Sequence, residues 1–111
     1  MTRTDPKLSL GIPVHNGAAY LAQLFDCLRA QSFTDFEAII CDNASTDATE
    51  QICRRVTAAD QRFRYQRNER NIGAAPNFNR VFEQASGRYF KWTAHDDLMA
   101  ALLGVNVPGP E

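Results

Sequence analysis

A chain of 111 residues holds a single domain, with core enough for one ligand site and little room for two substrates. Twelve Lys and Arg against thirteen Asp and Glu leave it near neutral with no long run of one sign, which argues against nucleic acid as a partner. Cys27, Cys41 and Cys53 are odd in number, lack the paired spacing of a zinc site and fall in apolar periodic segments, so they read as buried thiols. The start, Met1 to Lys7, has no apolar signal-peptide run, and no window of ~18 apolar residues follows. The expected setting is the cytoplasm, including the inner face of a membrane as a peripheral protein.

In chain order, Leu8–Val14 is an apolar run closed by the turn signal Asn16-Gly17, and Leu21, Leu24, Phe25 and Leu28 then recur at helical spacing. Phe36–Cys41 is a second strand. Asp42-Asn43-Ala44-Ser45-Thr46-Asp47 supplies capping residues ahead of a helix marked by Ile52 and Val56, with Ser45 or Thr46 the expected cap. Arg62–Gln66 alternates as a short third strand. After a polar loop from Asn68 to Ala75, Pro76 suits the first turn of a helix whose apolar stripe is Phe78, Val81, Phe82 and Ala85, ended by Gly87. Arg88–Thr93 then reads as a buried fourth strand. Strands separated by helices of this length predict an α/β fold: a mostly parallel sheet flanked by helices on both faces.

Ligands of open α/β sheets gather outside the C-terminal strand ends, and three loops there carry suitable residues. Val14-His15-Asn16-Gly17 offers a close backbone approach and an amide, though a plain turn explains it as well. At Asp42-Asn43 a carboxylate or amide is placed to meet a base edge, with helix capping the alternative. Asp96-Asp97, after the fourth strand, suits a hard divalent cation bridging to phosphate, against the alternative of a cap for a helix starting at Leu98. His95 is either a further ligand or a packing residue. In the 68–73 loop Arg70 suits phosphate, and the asparagines Asn68 and Asn71, with the following Asn77 and Asn79, suit a base or sugar; a solvated loop with a helix cap is the competing reading.

The runs Ser9–Gly17, Gln31–Glu37, Asp42–Asp47, Arg70–Gly73 and Gly87–Tyr89 with Asp96-Asp97, in this order and spacing across residues 8–99, resemble the start of family 2 glycosyltransferases of the GT-A fold. That resemblance implies a transferase of polysaccharide biosynthesis type, probing a nucleoside-diphosphate sugar with the loops Pro13, Val14, His15, Asn16 and Asp42, Asn43, together with Arg70, Asn71, Gly73 and Asn77. It implies Mn²⁺ or Mg²⁺ held at Asp96, with Asp97 in support. Asn43 stands where the family often has a second aspartate, and Ala94 where its metal motif often has a leading carboxylate. Residues 1–99 are expected to form the donor-binding domain and 100–111 a short divergent tail. Since fourteen residues follow Asp97, the acceptor half and its general base are expected to be missing, and an incomplete sheet would leave apolar surface for self-association. The acceptor, a saccharide, lipid or protein, is not specified. The alternatives are an inactive nucleotide-binding or protein-interaction module, a plain scaffold, and a nucleotidyltransferase, which would want a Gly-rich phosphate loop that His15-Asn16-Gly17 does not supply.

Overall fold

The computed structural model describes residues 6–31 and 33–93; His95, Asp96, Asp97, the helix start at Leu98 and the 100–111 tail lie outside the described residues. Four strands, β1 (Leu8–Val14), β2 (Phe36–Asp42), β3 (Phe63–Arg67) and β4 (Tyr89–Trp92), form one parallel sheet in the order β3-β2-β1-β4. The helices are α1 (Ala18–Ala30), α2 (Thr49–Ala59) and α3 (Ala74–Glu83). The predicted fold class is the observed one, since parallel neighbours require a crossover and each linking segment carries a helical period.

Alternation along the central strands divides the core. Leu8, Leu10, Ile12 and Val14 of β1 and Phe36, Ala38 and Ile40 of β2 face α1 and α2, where Leu21, Leu24, Phe25, Leu28, Cys53 and Val56 meet them. Phe63 closes this layer edge-on to Phe25 and Phe36, with ring centroids 5.4 and 6.0 Å apart. Each fully buried Leu or Ile here contributes about 1.5–3 kcal/mol. On the opposite face Ile39 and Cys41 pack against Val81 of α3. Burial pushes the Cys41 and Cys53 thiols up to about 11 and about 12, so both are inert at neutral pH; Cys27 is only half-buried.

Pro13 in a central strand looks anomalous, because it lacks the N–H that a ladder needs. Gly11 directs its carbonyl towards the β4 side, accepting from Thr93 N at 2.8 Å, whereas Val14 directs its own towards β2, accepting from Asn43 N. Pro13 shares the orientation of Gly11 and lies past the last β1–β4 pair, Gly11 with Trp92. Its missing donor therefore falls beyond the β1–β4 pairs of the described residues.

Four expectations are corrected. The third strand starts at Phe63, not Arg62, because Asp60 captures the Arg62 main-chain N–H and guanidinium in the preceding turn. The fourth strand spans Tyr89–Trp92 and is only partly buried, for among the described residues it is a sheet edge. Helix α3 ends at Glu83 rather than Gly87. Gly87 instead lets its backbone press against β1: it donates to Ser9 Oγ at 2.7 Å, and a Cβ there would stand 2.7 Å from Ser9 N. The inward face of α3 is Asn77 and Val81, one turn apart, while Phe78 and Phe82 lie to the side, 40% and 58% exposed. There Phe78 lies tilted against Trp92 and Phe82 edge-on to Phe90 of β4, with ring centroids 4.8 and 5.0 Å apart.

Candidate functional site

The C-terminal strand ends are knitted together by side chains of the loops that follow them. Asn16, with φ 54°, accepts at Oδ1 from Thr46 N and Asp47 N, and its own N–H donates to Ser45 Oγ at 2.7 Å. Gly17 N donates to Thr49 Oγ1. The loop after β1 is thus fastened to the loop after β2. Ala44 also takes a positive φ of 59°, a conformation that costs a non-glycine residue on the order of 1–3 kcal/mol and that surrounding contacts must hold.

Capping falls to neither Ser45 nor Thr46. Asp47 Oδ1 accepts from Thr49 N at 2.9 Å and from Thr49 Oγ1, and its Oδ2 accepts from Ala18 N at 3.1 Å. One carboxylate therefore serves the N-termini of α2 and α1, where the helix dipoles favour negative charge. The Thr49 hydroxyl, outweighing a small burial cost, and then the Thr49 and Ala18 N–H groups hold Asp47 below the usual carboxylate value.

Asp42 is fully buried at the end of β2. Its Oδ1 accepts from Ser45 N at 2.9 Å, and its Oδ2 accepts from Tyr65 Oη at 2.6 Å and Arg67 Nη1 at 3.2 Å. Burial first, and then the hydrogen bond to Asp42 and its charge, push the Tyr65 phenol well up. Both carboxylate oxygens are occupied by the protein, so Asp42 shapes the site from behind.

Asn43 is the meeting point of the edge. It donates through Nδ2 to Asn71 Oδ1 (2.9 Å) and Gly73 O (3.1 Å), and accepts at Oδ1 from Asn68 Nδ2 (3.0 Å) and Ile72 N (2.9 Å). Asn68 Nδ2 also donates to Asn77 Oδ1, and Asn77 Nδ2 donates to Cys41 O. Main-chain groups fix the orientation of these amides: Ile72 N can only donate, and Gly73 O and Cys41 O can only accept. The expectation that Asp42 and Asn43 are left freer for ligand by a cap further on does not match this geometry. Asn68, read with the other loop asparagines as a partner for base or sugar, is instead buried and bonded to Asn43 and Asn77, because an asparagine in a polar stretch carries no sign of an inward role.

Pro13, Val14, His15, Asn43, Asn71 and Asn77, together with Ala74 and Phe78, line one cleft of about 170 Å³ at this edge. His15 Nδ1 lies 2.8 Å from Asn43 O, which makes it the protonated nitrogen, and Nε2 accepts from Asn16 Nδ2 at 3.3 Å. Gly73, whose carbonyl accepts from Asn43 Nδ2, takes φ 91°, which favours glycine. Arg70 and Asn79 are exposed and do not line the cleft. Among the described residues no group of three His, Cys, Asp or Glu could hold a metal ion, and no helix is long and apolar enough to cross a membrane.

The strand order reverses between β1 and β4, and the cleft opens at the C-terminal edge beside that point, the usual position for a ligand in an open α/β sheet. Fold and cleft together define an α/β protein with a parallel sheet and a cleft at its strand-end switch point. Residues 9–101 match the sequence profile of glycosyl transferase family 2, and the chain belongs to that family. It is 33% identical over 94 residues to an uncharacterised glycosyltransferase, RT0329, of Rickettsia typhi, covering 85% of this chain and 28% of that protein. It is 30% identical over 93 residues to the glycosyltransferase GlyA of Streptococcus pneumoniae, covering 84% of this chain and 13% of that one. The chain thus spans between about an eighth and somewhat over a quarter of these relatives.

Among solved structures, residues 1–349 of S. aureus TarS in complex with UDP superpose with a TM-score of 0.72 at 28% identity, over 78% of this chain and 26% of that one. The mannosyltransferase PcManGT of Pyrobaculum calidifontis, in complex with GDP-Man and Mn²⁺, gives a TM-score of 0.68 at 22% identity over 95% of this chain and 34% of its own, and bears on the fold alone. The fold is of the GT-A type.

Proposed function

We propose that this chain binds a nucleoside-diphosphate sugar at the β1–β2–α3 cleft and forms the donor side of an inverting, metal-dependent glycosyl transfer to a saccharide, lipid or protein acceptor. The observation that carries the reading is the convergence of Pro13, Val14, His15, Asn43, Asn71 and Asn77 on one strand-end cleft in a chain of this family. TarS, a structural neighbour, is a complex with UDP.

The apolar lining of Val14, Ala74 and Phe78 suits a base, with the exposed Asn71 amide beside it. The ribose and diphosphate would run along the strand ends towards the residues after Thr93. Asp96, supported by Asp97 and with His95 adjacent, would hold Mn²⁺ or Mg²⁺. When bound, such an ion offsets charge on the departing diphosphate. Inversion needs the acceptor hydroxyl to attack from the face opposite the leaving group, with a base to take its proton. We assign that base to sequence beyond this donor unit, consistent with the greater length of the relatives.

Calorimetric titration of UDP, GDP and TDP, with and without Mn²⁺, against the chain and its Asp96→Ala variant tests the reading. Binding of at least one nucleotide, strengthened by Mn²⁺ in the unaltered chain only, is the expected result. No binding by any of the three would overturn the donor site, and an Mn²⁺ effect that survives Asp96→Ala would remove the role given to Asp96. A second reading, a module that meets another polypeptide, is favoured by the exposed Phe78, Phe82 and Trp92, and silence of all three nucleotides would turn attention to that face.

A further inference from the structure

The three exposed large apolar side chains among the described residues, Phe78, Phe82 and Trp92, fall in one place. With Phe90 they form an unbroken chain of rings: Phe82 to Phe90 at 5.0 Å, Phe90 to Trp92 at 4.6 Å and Trp92 to Phe78 at 4.8 Å between centroids. Gly11 of β1 makes room for the strand half of that chain, since a Cβ there would stand 2.6 Å from Phe90 Cζ and 3.0 Å from Trp92 Cε3. The β4 rings therefore lean over the central strand, and together with the α3 rings they present one apolar surface beside a strand that is a sheet edge among the described residues. Single exposed apolar residues need no partner, whereas a contiguous group beside an open edge calls for a cover.

Size decides which cover fits. An aromatic side chain offers about 150–250 Å², so three that are between one-third and three-fifths exposed leave about 300 Å² open. A stable complex of two molecules needs about 800 Å² on each partner, more than this face supplies. A segment of the same chain needs less, because a short linker holds it at a millimolar effective concentration. Residues 98–107 carry eight apolar side chains, and no charged residue occurs from 98 to 110. Thr93 is held beside Trp92 by its N–H to Gly11 O at 2.8 Å, and only residues 94–97 intervene before the apolar run. Five residue steps span up to about 18 Å, and no ring of the face lies more than two ring-to-ring steps from Trp92. Every ring is within reach.

We propose that the face of Phe78, Phe82, Phe90 and Trp92 is an internal docking site, and that its occupant is the apolar segment 98–107 of the same chain. Seating is apolar on both sides and brings no charge into the contact. While the segment is seated, a second copy or another polypeptide has no access to these rings.

Trp92 is the single tryptophan of the sequence, so its fluorescence reports on this face directly. In the full chain the indole should be shielded from acrylamide, with quenching and emission maximum independent of protein concentration. The double substitution Leu102→Glu with Leu103→Glu is expected to lower the seated population more than about tenfold, raising the quenching of Trp92 about twofold and shifting its emission to the red while far-UV circular dichroism is retained. A second measurement does not depend on that variant. The full chain with Phe82→p-benzoylphenylalanine, irradiated and mapped by mass spectrometry, should cross-link to residues 98–107 within one molecule. Unchanged quenching in the folded double variant overturns the proposal, and so does a cross-link map without 98–107. Cross-links that join two chains, or quenching that falls as concentration rises, assign the face to a second copy and overturn it equally. If the double variant does not fold, the cross-link map alone decides.

Discussion

Glu37 is a charged side chain only 1% exposed, on the sheet face that α3 covers. Its Oε2 accepts from Ser9 Oγ at 2.6 Å, Ser86 N at 2.7 Å and Ser86 Oγ at 3.0 Å, and Arg64 Nη2 stands 3.5 Å from Oε1. Burial alone would raise this carboxyl, but the Ser9 and Ser86 hydrogen bonds and the Arg64 charge hold it below its ordinary value. A group lowered in the folded state stabilises fully above its unfolded value, about 4.3, and loses that contribution as pH falls through the folded one. Glu37→Gln should cost about 1–3 kcal/mol in urea unfolding at pH 7, and the gap from the unaltered chain should narrow at acid pH. A gap that stays constant from pH 7 to pH 3 would show that the charge of Glu37 contributes nothing. Asp47 shifts in the same direction, and Asp47→Ala should cost about 1 kcal/mol, the usual effect of losing a helix cap, as a lowered unfolding midpoint at neutral pH.

At the scale of elements, periodicity located the four strands and three helices of the described residues to within a few positions, because an apolar period of two or 3.6 marks a buried face directly. It failed at α3, where Phe78 and Phe82 share the helical spacing of Val81. Spacing does not distinguish a ring inserted in the core from one laid along an edge strand, and nothing in the period signals that Asn77 turns inward to reach Cys41 O. The loops were legible as polar strand ends and little further. Which amide atom faces which main-chain group depends on chain segments about 30 positions apart, such as Asn43 with Ile72. Gly87 shows the same limit, since a glycine after a helix looks like a terminator whether or not the backbone beside it is crowded. Gly87→Ala should destabilise by about 1–3 kcal/mol in chemical denaturation, because two of the three atoms its Cβ would strike, Ser9 N and Leu8 C, are main chain. A neutral result would mean that the linker from α3 to β4 can back away from β1.

For the molecule as a whole, the order β3-β2-β1-β4 places the first strand of the chain at the centre of the sheet. Its two flanks are completed at very different times. Pairing with β2 needs residues up to Asp42, but Tyr89, where β4 begins, lies 75 positions beyond Val14. At a synthesis rate of about 5–20 residues per second, one side of β1 waits about 4–15 s for its partner to be made. During that interval a nascent chain carries an open strand edge bearing Ser9 and Gly11, with the buried charge of Glu37 not yet covered by Ser86. An inward-facing charge beside an open edge disfavours pairing with another copy, so Glu37, which with Ser9 later clamps the α3–β4 linker through Ser86 and Gly87, guards that edge while it waits.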